Sequence, residues 1–137
     1  MGGLAGNTQA PYIKSVVYEM CNDFKCVFIQ WRAQGGVPVT SSKLYCMSSW
    51  QDLKEPIDYI NSRTPDRPIF MFACSLGAIC ASLYLINEDG KGPVRAATFY
   101  GTPFNTLDNS PFFTTAAYGF YNWNLGRNLI NSLTPLF

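Results

Sequence analysis

The sequence contains no histidine and few charged residues. None of its 137 residues is histidine, and charged residues make up only 14%. A serine that acts as a nucleophile needs a base beside it, and histidine is the side chain that most often accepts that proton near neutral pH. The sequence as given has no histidine for that role. The net charge is only +1, and Lys and Arg are scattered, which argues against a nucleic-acid partner.

Long apolar runs are also absent. The longest apolar stretches are far shorter than the roughly 20 residues that cross a bilayer. The first residues lack the charged start and apolar core of a secretion signal. These features predict a soluble chain or a subunit of an assembly. No residue specifies a compartment; an intracellular location is favoured, and association with a membrane surface stays open.

The cysteines do not form a pattern that indicates metal or disulfides. There are five, an odd number, and their spacings do not repeat as the pairs of a metal site do. We therefore expect reduced, buried thiols, no metal and no cofactor. The five are Cys21, Cys26, Cys46, Cys74 and Cys80.

What the sequence does have is a large apolar fraction and one distinctive stretch. Apolar residues reach 47%, enough for a single domain with a core. Residues 69–74 are apolar and of strand length, and residues 76–86 are apolar on nearly all sides, as in a buried helix. Ser75 lies between them, with the small residues Ala73 and Gly77 two positions away on each side.

This spacing is typical of a nucleophile elbow, Gly-x-Ser-x-Gly, with Ala73 in place of the first glycine. The elbow holds its serine in a strained conformation, and large side chains two residues away would collide. The alternative is that Ser75 simply caps a core helix, because serine is common at helix starts.

The rest of the chain predicts an α/β alternation. Residues 8–23 show helical spacing, residues 25–31 read as a buried strand of parallel type, and residues 94–100 as a further strand. Ser49 and Asp52 have the spacing of a capping box that begins another helix. Two short helices are expected at 113–121 and 121–133. Such an order predicts parallel strands, with Ser75 at the carboxyl end of one, where open α/β sheets place their ligand sites.

Four blocks of residues resemble the YheT-like branch of the α/β-hydrolase superfamily, which contains esterases and acylglycerol lipases. The sequence departs from the family pattern by four small changes near the site, which are Ala73 for Gly, Ala33 for Gly, Gln30 for Asn and Ala5 for Thr. The blocks are Gly3-Leu4-Ala5-Gly6 with Tyr12-Ile13, Gln30-Trp31-Arg32-Ala33 with residues 36–40, residues 50–53 through 63–65 to Ser75-Leu76-Gly77, and Thr102-Pro103-Phe104-Asn105.

The resemblance implies a serine ester hydrolase with Ser75 as nucleophile. The backbone amides of Leu76 and Leu4 would form the oxyanion hole, and an ester or acylglycerol would be the substrate. It also implies part of a three-layer αβα fold with a parallel sheet, lacking the N-terminal strands and the portion that carries the acid and the histidine. Residues 1–103 would be the core segment with the elbow, and residues 104–137 the start of a helical cap region.

In the family fold another strand lies between the two that correspond to residues 25–31 and 69–74. Without it, the two strands either pair directly or leave a slot that a protein partner fills. We expect the isolated chain to be poorly stable and to expose much apolar surface. Three interpretations remain: a fragment of a serine esterase, inactive alone; a noncatalytic subunit of a larger assembly, held by the aromatic residues 112–137; and a split enzyme whose histidine comes from a partner.

Overall fold

A computed structural model describes residues 1–133 of the chain, with side chains as far as residue 131. The fold is α/β, with two parallel strands flanked by helices, which confirms the predicted fold class. The elements in order are α1 (Pro11–Met20), α2 (Gln51–Arg63), β1 (Ile69–Cys74), α3 (Leu76–Asn87), β2 (Val94–Tyr100), α4 (Thr106–Thr115), a short turn of 3-10 helix (Ala116–Gly119) and α5 (Phe120–Leu133).

The centre of the fold is the β1-α3-β2 unit. β1 and β2 pair in parallel from Phe70 opposite Ala96 to Cys74 opposite Tyr100. Helix α3 packs against β1, and α2 packs against α3. Most of the apolar residues of α3 are buried or partly buried because α3 lies between the sheet and α2, whereas Ile86 near its end is 70% exposed. The buried core consists of Met1, Trp31, Leu53, Ile57, Met71, Ala73, Leu76, Ala78, Cys80, Ala81 and Tyr84.

The predicted strand at residues 25–31 is wrong. These residues have no strand pairing, and only Trp31 is buried, at 1% exposure, while residues 25–27 are exposed. A strand exists only where another backbone supplies its hydrogen bonds. The edge of β1 that faces this side is reached instead by Met1, whose amino group donates to the Phe72 carbonyl at 2.8 Å and whose carbonyl accepts from the Cys74 amide at 3.2 Å.

The predicted capping box at Ser49 is also wrong. Helix α2 begins at Gln51, and the Ser49 hydroxyl accepts from the Cys46 amide at 2.8 Å. Asp52 does not reach back to Ser49, because its carboxylate is held by both Nε and Nη2 of Arg32, each at 2.6 Å. A long-range ion pair has replaced the expected local contact.

The C-terminal helices differ from the prediction in their bounds. A helix was expected at 113–121, but α4 ends at Thr115 and begins at Thr106, where the Asn105 side chain accepts from the Asp108 amide at 3.2 Å. The second expected helix, 121–133, matches α5. The main contacts of α4 and α5 are with each other and with the turn between them, and many apolar side chains there are exposed. The aromatic segment was expected to extend to residue 137; residues 134–137 lie outside the described part.

Tyr84 gives a testable consequence of this core. It is fully buried, and its hydroxyl has no partner among the described residues. Burial, with lesser contributions from Glu88 and Asp58, raises the pKa of the phenol. The unfolded phenol ionises near pH 10, so the protonated folded form contributes stability that is present below that pH and lost as the pH rises above it.

We therefore expect Tyr84→Phe to raise the free energy of unfolding by about 1 kcal/mol at neutral pH, because an unpartnered buried hydroxyl is removed. The variant should also lose less stability than the parent between about pH 9 and pH 11. Urea titrations followed by circular dichroism at both ends of that range measure this. An identical alkaline loss in both proteins would contradict the assignment.

Within residues 1–133, no helix is both long and apolar enough to cross a membrane.

Candidate active site

Ser75 stands at the sharp turn between β1 and α3 with φ of +50° and ψ of −122°. A positive φ is uncommon for residues other than glycine. The conformation is fixed on both sides: the Ser75 amide donates to the Tyr100 carbonyl at 2.9 Å, and its carbonyl accepts from the Ala78 amide at 2.9 Å. Serine therefore has the strained strand-to-helix geometry that the sequence pattern predicts, rather than the extended conformation of an ordinary helix cap.

The glycine-rich loop at residues 1–6 lies directly against this turn. A Cβ added at Gly3 would stand 2.8 Å from the Ser75 Cβ, and one added at Gly77 would stand 2.4 Å from the Gly2 carbonyl oxygen. Neither distance is possible for a real side chain. The absence of side chains at Gly3 and Gly77 is what lets the loop and the first turn of α3 meet around Ser75.

Two tyrosine hydroxyls hold the loop in place. The Gly3 amide donates to the Tyr12 hydroxyl at 3.1 Å, and the Ala5 amide donates to the Tyr45 hydroxyl at 3.0 Å. Between them, the Leu4 amide has no hydrogen-bond acceptor among the described residues. Tyr12 belongs to a block singled out in the sequence. Tyr45 was missed, and no local pattern marks it, because its contact joins residues 40 positions apart.

The Leu76 amide opens helix α3, and the first amides of a helix have no acceptor within it. Leu76 itself is buried, while Leu4 packs partly buried against the core. The amides of Leu4 and Leu76 therefore belong to the two segments that meet at Ser75.

Ser75 has no base beside it in residues 1–133, where no hydrogen bond connects its hydroxyl to an ionisable side chain. The neighbouring Cys74 is buried, and burial raises the pKa of its thiol. Over the same residues, no three His, Cys, Asp or Glu side chains are grouped as metal ligands. Within residues 1–133, the arrangement brings the loop and the start of α3 together at Ser75, but it supplies no side chain that would activate the Ser75 hydroxyl.

The thiols follow the sequence prediction only in part. The sequence predicted buried thiols, but Cys21, Cys26 and Cys46 are exposed and only Cys74 and Cys80 are buried. Burial raises the pKa of Cys80 to about 11. Hydrogen bonds with Ser48 and Ser49 lower the pKa of the Cys46 thiol.

Two surface cavities lie away from Ser75. One, of about 460 Å³, is lined by residues 29–32, Lys43, Gln51, Asp52 and Glu55. The other, of about 500 Å³, lies between residues 65–68 and 90–95. Neither cavity is lined by residues of the elbow.

Three curated proteins are similar to the chain. It is 26% identical to a monoacylglycerol lipase of Saccharomyces cerevisiae over 132 residues. This alignment covers 93% of the present chain and 29% of the lipase. It is 29% identical to medium-chain fatty acid ethyl ester synthase/esterase 2 of the same yeast over 107 residues. This alignment covers 77% of the present chain and 24% of the yeast protein. It is 26% identical to phospholipase ABHD3 of Bos taurus over 108 residues. This alignment covers 77% of the present chain and 26% of the phospholipase.

These similarities establish a distant relationship to lipases and esterases, and they point to the α/β-hydrolase superfamily. The chain spans less than a third of the length of each of these relatives. No family model and no solved structure matches it.

Proposed function

We propose that residues 1–137 are the nucleophile-bearing segment of a serine ester hydrolase of the YheT-like branch, and that this segment is inactive alone. The observation that carries the proposal is the conformation of Ser75, with φ of +50° at a strand-to-helix turn. Strain of this kind costs about 1 to 3 kcal/mol. An ordinary helix cap does not require it, whereas a nucleophile elbow does.

In this proposal Ser75 attacks the carbonyl carbon of an ester, and the amides of Leu4 and Leu76 stabilise the oxyanion. Each such donor contributes about 2.7 to 4 kcal/mol in the transition state. The proton of the Ser75 hydroxyl has to pass to a histidine paired with an acid. Residues 1–137 contain no histidine, so in this proposal the histidine comes from polypeptide outside this sequence, together with the acid that the family resemblance places in the same portion.

The names of the relatives support the substrate class. Two of the names state an acyl ester, a monoacylglycerol and a medium-chain fatty acid ethyl ester, and the third relative is a phospholipase. We propose the corresponding class here, an ester or acylglycerol with a fatty acyl chain, and residues 104–137 as the beginning of the cap above it.

The chain alone should neither hydrolyse p-nitrophenyl esters nor label at Ser75 with a fluorophosphonate probe, because no base activates the hydroxyl. A chimera in which these residues replace the matching segment of the yeast monoacylglycerol lipase supplies the rest of a lipase chain, in which this proposal places the acid and the histidine. We expect that chimera to hydrolyse esters and to label with the probe.

The matched control is the same chimera with Ser75→Ala, which should lose about 10⁶-fold in kcat if Ser75 is the nucleophile. A folded chimera with no difference from its Ser75→Ala form would contradict the assignment. Labelling of the isolated chain that disappears in Ser75→Ala would contradict its proposed inactivity.

A second candidate is a noncatalytic structural subunit of a larger assembly. The observation that favours it is the exposure of large apolar side chains on α4 and α5, such as Leu107 at 85% and Trp123 at 57%. Exposed apolar patches commonly mark surfaces that are covered in an assembly. A folded but inactive chimera that carries the wild-type Ser75 would favour this candidate.

A further inference from the structure

Three basic residues from separate segments of the chain line one cavity. The cavity, of about 500 Å³, lies between the turn that leads into β1 and the turn that leads into β2, and its size is within the range of small-molecule sites. Arg67 belongs to the first turn, Lys91 to the second and Arg95 to the start of β2. The cavity is therefore at the amino ends of the strands, about 20 Å along β1 from Ser75.

The two arginines of this cavity lack carboxylate partners. No carboxylate of the described residues lies within ion-pair distance of Arg67 or Arg95. Lys91 differs from them, because its ammonium group is paired with Asp89 at 2.9 Å. Asp66 is the one carboxylate among the described residues that lines the cavity. Two unpaired cationic side chains at one cavity repel each other, and an anion bound between them would replace that repulsion by attraction.

Arg95 stands at an irregularity of the sheet. Ile69 pairs with Val94, and the next residue of β1 pairs with Ala96. Arg95 therefore has no residue opposite it on β1. An extra residue of this kind interrupts the alternation of side chains and re-aims one of them, and it is common beside functional sites. Arg95 and Ala96 are accordingly both exposed, and the irregularity lies at the point where Arg95 lines the cavity.

Backbone contacts hold both walls of the cavity. The Arg67 amide donates to the Thr64 carbonyl at 3.1 Å, within a turn, residues 65–68, that begins and ends with proline. On the other wall, the Lys91 amide donates to the Glu88 carbonyl at 2.9 Å. Proline fixes its own φ and so restricts the first turn further. Because the backbone of both walls is already ordered, a ligand would lose less affinity to the ordering of its site.

We propose that this cavity binds the phosphate group of a small ligand, with Arg67 and Arg95 as its main contacts. A guanidinium group donates two parallel hydrogen bonds to phosphate oxygens. Asn61 also lines the cavity, and its side-chain amide supplies a neutral donor. No aromatic side chain is among the described lining residues, so a surface on which a nucleobase could stack is lacking there and a ligand without such a base is favoured. The proposal does not depend on catalysis at Ser75.

The test is a calorimetric titration of the full chain with pyrophosphate. We expect saturable binding that Arg67→Gln and Arg95→Gln each weaken about 10-fold, because each variant removes hydrogen bonds from a charged donor. Arg127→Gln is the matched control, since it removes the same charge from an exposed arginine of α5 and should leave the affinity nearly unchanged. All three side chains are exposed, so the variants should fold like the parent, which circular dichroism checks.

A second titration, with vesicles of phosphatidylcholine and phosphatidic acid, separates two sources of the phosphate group. Pyrophosphate binding without vesicle binding assigns the site to a soluble phosphate ester, whereas vesicle binding that Arg67→Gln and Arg95→Gln weaken assigns it to a lipid headgroup. Failure to bind either probe would overturn the proposal. Equal weakening by Arg127→Gln would also overturn it, because binding would then reflect the net charge of the chain rather than this cavity.

Discussion

Trp31→Ala should lower the free energy of unfolding by about 3 to 5 kcal/mol, the range for removing a buried aromatic side chain. Trp31 is 1% exposed, its indole donates to the Gly2 carbonyl at 3.0 Å, and its ring stacks on Tyr45 at 5.6 Å. It is the main buried connection between residues 25–31 and the loop against Ser75. Because small domains are stable by only about 5 to 15 kcal/mol, this loss would leave little folded chain.

Urea titration followed by far-ultraviolet circular dichroism measures this effect. Trp123→Ala is the matched control, since Trp123 is 57% exposed and its removal should change stability by only about 0.5 kcal/mol. Trp31→Phe separates ring packing from the hydrogen bond, and leaving the Gly2 carbonyl unpartnered should cost about 1 to 3 kcal/mol. Similar effects of Trp31→Ala and Trp123→Ala would show that residues 25–31 are not anchored as described.

Gly77→Ala should destabilise the chain although Gly77 lies in a helix, where alanine is normally better by about 1 kcal/mol. The added Cβ would stand 2.4 Å from the Gly2 carbonyl oxygen and 3.4 Å from the Met1 Cβ. The first of these is a backbone atom and cannot rotate away. We expect a net loss of about 1 to 3 kcal/mol, the usual cost of overpacking, together with faster amide exchange at Gly3 and Leu4.

Gly126→Ala is the matched control, and it should change the stability in the opposite direction. Gly126 is also helical, in α5, but a Cβ there meets nothing within 4 Å. The helix should gain about 1 kcal/mol of local stability, seen as slower amide exchange within α5. A Gly77→Ala protein as stable as the Gly126→Ala protein would mean that the loop does not lie against α3.

The β1-α3-β2 unit could be predicted from the sequence because its determinants are local. β1 and β2 match the predicted ranges, and α3 extends the predicted helix by one residue, to Asn87. Their hydrogen bonds and much of the core lie within residues 69–100. The strained turn at Ser75 could be predicted for the same reason, because small residues two positions before and after a serine are typical of such a turn.

Residues 25–31 could not be predicted correctly from their own composition. Their apolar character indicated a buried strand, but strand formation depends on a neighbouring backbone, which the described residues do not supply. The hydroxyl of Tyr45 at the Ala5 amide was invisible for a related reason, because one contact between distant segments leaves no periodic pattern.

One departure from the family pattern acquires a physical meaning only in the structure. Ala33 is buried and has φ of +58°. The family motif that residues 30–33 resemble has glycine at this position. Glycine reaches this conformation without penalty, whereas alanine pays about 1 to 2 kcal/mol. The substitution is conservative in size but strained in its backbone.

The two-stranded sheet also has a consequence for self-association. The described part of the chain has two unlike edges, the start of β1 ahead of the residues that Met1 contacts and the outer edge of β2. If the β1 edge of one copy pairs with the β2 edge of the next, the contact is heterologous and each addition exposes the same unlike pair of edges again. Such a contact has no twofold symmetry that would stop it at a dimer. At high concentration we expect open-ended filaments.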